Sequence, residues 1–420
     1  MKSMTMNLPL ISSTQDLRYF NRRRILKALY FNEPLSRQDL SRLTELSVAT
    51  VTNLLTTWLD QEVILESGTI QSRGGRPRVM LTINKAYGAF IGIDLGETLI
   101  RFHLFDLKMN LRQTVTYLLE NENIQPAEVI DNIVSGYYEL LTVSGYPEEK
   151  VIGIGIGVPG VVERKGGISV FAPNWGWHNV PLIEKLEEKI PRPIIMDNGA
   201  KAMGLAEQWF GVGSEKQDLV ALLVGTGVGA AIIANGELQR GVANSAGEFG
   251  HTTLALNGRS CRCGGQGCLE TYVGAPGIIQ TLSEIAPDSP LLQGKTQPDI
   301  MANLASAAES NDKIAWAVIE QTAHYFGAGL ANLINLYNPE TIVLGGWLSK
   351  ILGPLLLEKM VPYIEKYSLP QPNAVLQLEL SHLGEHSVAM GAASLILGDF
   401  LHGMRSSWCV STGFVNRRPE

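Results

Sequence analysis

The sequence has few cysteines and no apolar run long enough to cross a membrane. Four cysteines in 420 residues cannot form the dense disulfide framework of a small secreted domain. The most apolar stretch, residues 219–234, contains three glycines and lies between Asp218 and Glu237, so it predicts buried strands instead of a membrane helix. The first 13 residues lack the apolar segment and cleavage site of a signal peptide. We therefore expect a cytoplasmic protein with no membrane partner.

Proline and charged residues are also modest in number. The 20 prolines and 18% charged residues, beside 45% hydrophobic residues, exclude a disordered or collagen-like chain. A folded chain of 420 residues is long enough for at least two domains with a large core.

Charge is unevenly distributed along the chain. The net charge is -7, yet residues 1–90 carry twelve basic and seven acidic side chains, so the rest of the chain is strongly acidic. A basic surplus of this size suits either a solvated surface or contact with nucleic acid. The residue pattern within this basic N-terminal segment, called the head below, distinguishes these two possibilities.

The head predicts three short helices. The first covers Asn21–Tyr30, the second follows Ser36 with Asp39 three residues later as a capping box, and the third follows Ser47 with apolar positions spaced by three and four residues. The third helix presents small hydroxyl and amide side chains on its other face. This pattern is typical of a helix-turn-helix that enters a major groove, and equally of a plain three-helix unit.

The segment after the helices favours DNA binding. Val63–Glu66 and Val79–Ile83 predict a hairpin with its turn at Ser67-Gly68, followed by an arginine-rich glycine segment. A hairpin beside a helix-turn-helix forms a winged helix-turn-helix. The residues expected to contact bases or phosphates of double-stranded operator DNA are Ser47, Thr50, Thr52, Asn53, Arg73, Arg76 and Arg78.

The body predicts an α/β fold. Apolar strands such as Phe90–Leu95, Val151–Val158 and Leu219–Val224 alternate with helical stretches. Glycine turns follow three of the predicted strands, at Gly96, at residues 225–229 and at residues 345–346. Such turns expose backbone amides to a phosphate or a sugar hydroxyl.

One loop of the body predicts a metal site. His251, Cys261, Cys263 and Cys268 supply one imidazole and three thiolates within 18 residues. This closed set of four soft ligands suits structural tetrahedral Zn²⁺, which would shape the site without activating water. Cys409 stands apart from this group.

Together these motifs resemble the ROK family of sugar-responsive repressors and sugar kinases, from about Asn21 to Gly398. The resemblance rests on the segments Gly74-Gly75-Arg76-Pro77, Gly157-Val158-Pro159-Gly160, Gly225-Thr226-Gly227, Gly247-Glu248-Phe249-Gly250-His251 and residues 261–270, and on the turn at Asp94. It implies a two-lobed actin-like (ribonuclease-H-like) ATPase fold behind the winged helix-turn-helix. The domains expected are 1–86 for DNA binding, 87–400 for sugar binding with a zinc loop at 247–270, and a tail at 401–420.

The resemblance also implies a sugar site and shows two departures from the kinases. The sugar contacts it implies are Asn174, Asn198, Glu248, His251 and Glu270. The family's kinases have a general-base aspartate where this chain has Gly199, and a second glycine where it has Glu97, whose carboxylate would repel ATP phosphates. Asp197 is the alternative base. We therefore expect a homodimeric or homotetrameric repressor that responds to a sugar or sugar phosphate and is not an enzyme; the alternative is an ATP-dependent sugar kinase.

Overall fold

The computed structural model describes residues 14–72, 75–119 and 124–402, and at residues 14–16, 72, 75 and 76 it describes the backbone only. The expected tail therefore lies outside the described residues from 403 onward. No helix within the described ranges combines the length and apolarity that crossing a bilayer requires.

The head is a winged helix-turn-helix. Ser36 and Asp39 form the expected capping box at the start of the second helix, and the Ser47 side chain accepts from the Thr50 amide at the start of the third. The elements are α1 (Thr14–Asn32), β1 (Leu35–Ser36), α2 (Arg37–Thr44), α3 (Val48–Asp60), β2 (Ile64–Ser72) and β3 (Gly75–Ile83). The three strands form one sheet in the order β1-β3-β2.

The wing is longer than the sequence suggested, and the expected turn at Ser67-Gly68 is wrong. Strand β2 continues through both residues to Ser72, with a register shift between Glu66 and Thr69. Gly68 has a φ of +123°, so it forms a bulge inside the strand. The β-branched residues Thr69 and Ile70 directly after Gly68 favour continued pairing.

The first lobe is a five-stranded sheet in the order β11-β7-β4-β5-β6, with a small sheet β10-β9-β8 at its side. Strands β4, β7 and β11 are parallel, and β5 and β6 are antiparallel to their neighbours. The elements are β4 (Ala89–Leu95), β5 (Leu99–Asp106), β6 (Leu111–Leu118), α4 (Pro126–Ser144), β7 (Val151–Val158), β8 (Val161–Glu163), β9 (Ile168–Ala172), β10 (Trp177–Val180), α5 (Leu182–Glu187) and β11 (Ile194–Asn198).

The second lobe repeats this topology in the sheet β14-β13-β12-β15-β16. Its antiparallel β13 and β14 and parallel β15 and β16 match the arrangement of the first sheet, which is the duplicated sheet of an actin-like fold. The elements are α6 (Gly199–Phe210), β12 (Leu219–Val224), β13 (Val228–Ala234), β14 (Glu237–Leu238), α7 (Glu270–Val273), α8 (Ala275–Ile285), α9 (Gln297–Glu309), α10 (Lys313–Tyr337), β15 (Thr341–Gly345), α11 (Trp347–Tyr367), α12 (Pro370–Asn373), β16 (Gln377–Leu380) and α13 (Ser387–Leu401).

Helices α6 and α13 join the lobes. The chain leaves the first sheet through α6 and returns from the second through α13, which packs on β4 and β7. A Cβ at Gly92 or Gly155 would lie within 2 Å of a carbonyl oxygen of α13. Glycine at these two positions therefore lets the returning helix approach the sheet.

The head shares a core with the first lobe and α13. Leu26, Leu29 and Trp58 of the head belong to the same buried cluster as Phe90 of β4 and Phe400 of α13. An ion pair of 3.0 Å between Lys108 and Glu33 crosses the same junction. The head is therefore packed against the body along α1.

Candidate functional site

The three cysteines and the histidine of the 247–270 loop lie together. The potential ligand atoms of His251, Cys261, Cys263 and Cys268 all lie within 4.8 Å of one another. Cys261 Sγ is 3.6 Å from His251 Nδ1, and Cys263 Sγ is 3.7 Å from Cys268 Sγ. The spacing fits four ligands around one tetrahedral ion.

Glycine and short bridges fold this loop. Gly267 has a φ of +70°, and a Cβ there would lie 1.7 Å from the Ala255 carbonyl oxygen. Bridges pair Thr253 with Cys268 and Ser260 with Gln266. The backbone thus brings the thiols together through its own hydrogen bonds.

Glu248 lies opposite the first turn of α6. Its carboxylate is 3.9 Å from Lys201 Nζ, and the Lys201 side chain is only 1% exposed. Burial raises the pKa of Glu248, with Lys201 and His251 acting against that rise. Burial lowers the pKa of Lys201, with Glu248 and Asp197 acting against that shift. The site therefore pairs a half-buried acid with a fully buried base.

Glu270 connects the glycine turn after β12 with the metal loop. Its Oε2 accepts a 2.9 Å hydrogen bond from the Val228 amide. A Cβ at Gly227 would lie 2.9 Å from the same oxygen, so glycine permits the approach. Arg262, between two of the cysteines, lies 3.5 Å from Glu270 and 3.4 Å from Glu97 of the first lobe.

Asn198 and Asn174 have different environments. The Asn198 Oδ1 accepts from the amides of Ala200 and Lys201, and its Nδ2 donates to the Gly160 carbonyl. Asn198 therefore caps α6 where the helix enters the site. Asn174 lies between β9 and β10, and its Oδ1 is buried with no hydrogen-bond partner among the described residues.

Asp197 is engaged in a buried network. The residue is 0% exposed; Arg240 lies 2.9 Å from its carboxylate, which also accepts from Asn244 at 3.0 Å. Asn244 additionally donates to the Val162 carbonyl. The network binds the loop before Glu248 to the first lobe, and a carboxylate held in this way is poorly placed to take a proton from a ligand.

Ion pairs also occupy the end of β4. Asp94 lies 3.5 Å from Arg101, which lies 3.3 Å from Glu385. Burial raises the pKa of Asp94 to about 6, although Arg101 lowers it. Burial likewise raises the pKa of Glu97, against the lowering by Arg262. Acidic side chains on both sides of this turn are thus already paired with arginines of the same chain.

The expected DNA-contacting face is present on α3. Ser47, Thr52 and Asn53 are exposed, and Thr50 is half-buried. Arg78 is 3.5 Å from Asp39 of α2, so it braces the wing against the helices. Arg73 and the side chain of Arg76 lie outside the described residues.

Three residues of the site were missed from the sequence: Lys201, Arg240 and Arg262. Each is a basic residue whose acidic partner lies far along the chain, up to 165 residues away for Arg262 and Glu97. The signal available was the composition of the helix: Lys201 lies in the first turn of a helix whose other residues, apart from Glu207 and Gln208, are small or apolar.

Comparison with known proteins gives one family. Residues 90–399 match the model of the ROK family. A xylose repressor of Caldicellulosiruptor bescii is 33% identical over 393 residues, which cover 92% of this chain and 97% of the relative. A glucokinase of Halalkalibacterium halodurans is 34% identical over 319 residues, which cover 73% of this chain and 94% of the relative.

A solved structure matches at similar coverage. The crystal structure of a ROK family transcriptional regulator, a homologue of the E. coli MLC protein, superposes with a TM-score of 0.80 at 28% identity. It covers 92% of this chain and 97% of its own.

Proposed function

This chain belongs to the ROK family, and we propose that it is a transcriptional repressor whose affinity for operator DNA changes when a sugar binds between its lobes. The observation that carries the proposal is the winged helix-turn-helix packed on a ROK body. The match to the xylose repressor covers enough of this chain to include part of the head. The match to the glucokinase is short enough to lie within the body alone.

Coverage separates the two kinds of relative. The chain from residue 90 onward is less than four-fifths of the sequence, so a match over 92% of it must include part of the head. The glucokinase match, at 73%, fits within the body. This difference supports the regulator over the kinase.

We assign DNA contact to the exposed face of α3 and to the wing. Thr50, Thr52 and Asn53 suit base edges or phosphates, and Ser47 caps the helix whose N-terminus faces the groove. Arg73, Arg76 and Arg78 suit the backbone or minor groove. A palindromic operator requires two heads, so we propose a homodimer or a larger assembly.

We assign the sugar contacts to Asn174, Asn198, Glu248, His251 and Glu270. The buried Oδ1 of Asn174 has no hydrogen-bond partner among the described residues, and the half-buried carboxylate of Glu248 has Lys201 at 3.9 Å and a side that remains open to a ligand. Sugar hydroxyls donate to such oxygens, and a site of this kind rejects ligands that leave one unpaired.

We propose Zn²⁺ as the resident metal. The donor set of three thiols and one imidazole fits it, and the four side chains would fill a tetrahedral shell with no open position. Zinc would then fix the orientation of His251 and the path of the chain to Glu270. Its chemistry would be structural.

We further propose that the chain is not an efficient kinase. The expected base position is Gly199, and Asp197 is held by Arg240 and Asn244. The turn that would receive phosphates carries Glu97, and Asp94 is paired with Arg101. Loss of a general base alone costs roughly 10²- to 10⁴-fold in rate.

The kinase alternative has a direct test. A Cβ at Gly199 would meet only ordinary contacts of 3.7–3.9 Å, so the backbone admits a side chain at this position. We expect no xylose- or glucose-dependent ATP turnover above background from the wild type, and at most slow turnover from Gly199→Asp, because Glu97 still opposes the phosphates. The measurement is a coupled ADP assay with each sugar.

The Asp197→Asn variant is the control for this ATP-turnover assay, because Asp197 is the alternative general base. Wild-type turnover at a rate typical of kinases, abolished by Asp197→Asn, would establish the kinase and remove the proposal of an inactive body.

The regulator proposal is tested by binding to the promoter fragment upstream of the chain's own gene. We expect specific binding at fixed salt that xylose, the sugar named for the repressor relatives, or another sugar shifts. Asn53→Ala should weaken operator binding about 5- to 150-fold, which corresponds to the loss of about 1–3 kcal/mol from a base contact. Random DNA should lose no more than about 2-fold. Fluorescence anisotropy measures both.

The matched control is Asn373→Ala, on α12 of the second lobe, which should leave both affinities unchanged. Equal losses on operator and random DNA would remove Asn53 from base readout. Absence of any preference for the promoter fragment would overturn the repressor assignment.

A further inference from the structure

Helix α6 extends from the sugar site to the head. Its first turn follows Asn198 and contains Lys201, which pairs with Glu248. Its last two residues are Trp209 and Phe210. Twelve residues at 1.5 Å each give a helix of about 18 Å. One straight element therefore has the sugar-binding residues at one end and an aromatic pair at the other.

The aromatic pair contacts the first helix of the head. The Phe31 ring of α1 lies 5.8 Å from the Trp209 ring and 6.3 Å from the Phe210 ring, centroid to centroid. The approach to Trp209 is edge-on, at 78°, a favourable aromatic geometry. Phe31 is thus the point at which the head contacts the end of α6.

Close packing makes α6 a stiff element. Its buried residues are mostly alanine and glycine. A Cβ at Gly204 would lie 2.2 Å from Ala231 of β13, and one at Gly391 of α13 would lie 1.7 Å from the Ala202 carbonyl oxygen. Near its end, the buried Glu207 accepts from the Val212 amide and from the Ser381 hydroxyl. Such packing transmits displacement instead of absorbing it.

Helix α1 is bound separately to the first lobe. Lys108, on the turn after β5, pairs with Glu33 at 3.0 Å and donates to the Tyr30 carbonyl at 2.6 Å. Phe105 of β5 lies in the same buried cluster as Leu26 and Leu29 of α1. Helix α6 packs on β12 and β13 of the second lobe and on α13, whereas α1 packs on the first lobe and α13. A movement of the second lobe that carries α6 with it would therefore act on the contact at Phe31.

We propose that the sugar signal reaches the DNA-binding head through α6, and that the contact of Phe31 with Trp209 and Phe210 is where lobe position is converted into head position. This inference rests on the proposed repressor function. A sugar shifts DNA affinity only through its different affinities for two lobe arrangements. The aromatic contact couples the head to one arrangement more than to the other.

Coupling of this kind is reciprocal, and this gives the test a specific signature. If sugar changes operator affinity by some factor, operator must change sugar affinity by the same factor. Loss of the contact between Phe31 and the end of α6 should reduce both coupling factors together. The affinity for sugar without operator, and the affinity for operator without sugar, should not change. Damage to either site alone would instead lower an intrinsic affinity.

The variants are Phe31→Leu and Trp209→Leu in the full-length chain, with xylose as the probe. Operator affinity by anisotropy and xylose affinity by calorimetry are each measured with and without the other ligand. The wild-type factor, about 5- to 150-fold for typical allosteric coupling, should fall below about 2-fold in both variants. Each intrinsic affinity should stay within about 3-fold, and thermal unfolding verifies that the variants are folded.

Tyr337→Leu removes an exposed aromatic ring from α10, away from this route, and should keep the wild-type factor. Full coupling in both folded variants overturns the role of α6. A variant that loses coupling but also binds operator much more weakly without sugar overturns this role too. In that case the contact would stabilise the fold of the head and would not transmit the sugar signal. If the wild type binds operator but neither xylose nor glucose changes its operator affinity, the proposed sugar response itself is contradicted. This measurement on the wild type comes before any variant is made, so the two failures can be told apart.

Discussion

Replacing Cys263 with alanine is expected to reduce the zinc content from one ion per chain to nearly none. The loop would lose one of four ligands whose atoms all lie within 4.8 Å, and three ligands hold a structural ion much less tightly. We also expect the melting temperature to fall by about 3–5 °C, since a loss of about 2–3 kcal/mol in the free energy of unfolding corresponds to that shift in a domain of roughly 300 residues. Xylose binding should weaken as well, because Arg262 and Glu270 belong to the same loop. Elemental analysis, thermal unfolding and calorimetry measure the three effects.

Cys409→Ser is the matched control, because it removes the cysteine that stands outside the cluster in the sequence. It should keep one zinc per chain and the wild-type melting temperature. Purified wild type without bound zinc, and unaffected by added zinc, would contradict the assignment of the metal.

The second large effect is expected from Glu248→Gln. The substitution keeps the shape of the side chain and removes the charge that faces Lys201 at 3.9 Å. A hydrogen bond to a charged group contributes about 1.5–3 kcal/mol, so xylose affinity should fall about 10- to 150-fold. The operator affinity without sugar should remain within about 3-fold, because Glu248 lies outside the head. Calorimetry and anisotropy give the two values.

Glu309→Gln, an exposed residue at the end of α9, should change neither affinity. Unchanged xylose binding in Glu248→Gln would exclude this carboxylate from the sugar site. A parallel loss of operator binding without sugar would show instead that the substitution disturbs the packing of the body.

Local signals predicted many elements of the fold well. The capping residues Ser36 and Ser47 gave the starts of α2 and α3, and Val151–Val158 and Leu219–Val224 were predicted with the observed ends. Helix α11 was missed because Pro354 and Pro362 lie within it, and proline is expected to interrupt a helix. The wing was placed wrongly because Gly68 signals a turn and a bulge equally well.

The site was predictable only where its residues are close in sequence. The metal ligands share one short loop, so their spacing identified them. The pairs Lys201 with Glu248 and Arg262 with Glu97 join residues that only the fold brings together. No periodicity or motif encodes such a pair, because its partners belong to different elements. The capping role of Asn198 was hidden for the same reason.

The core shared by the head and the body limits how this chain can be recombined. Leu26 and Trp58 of the head are buried together with Phe90 of β4 and with Phe400, which lies near the other end of the sequence. A head fused to an unrelated kinase would place these apolar side chains against a surface that is not complementary to them. A body without its head would expose Phe90 and Phe400 to water. The DNA-binding unit is therefore not an exchangeable cassette.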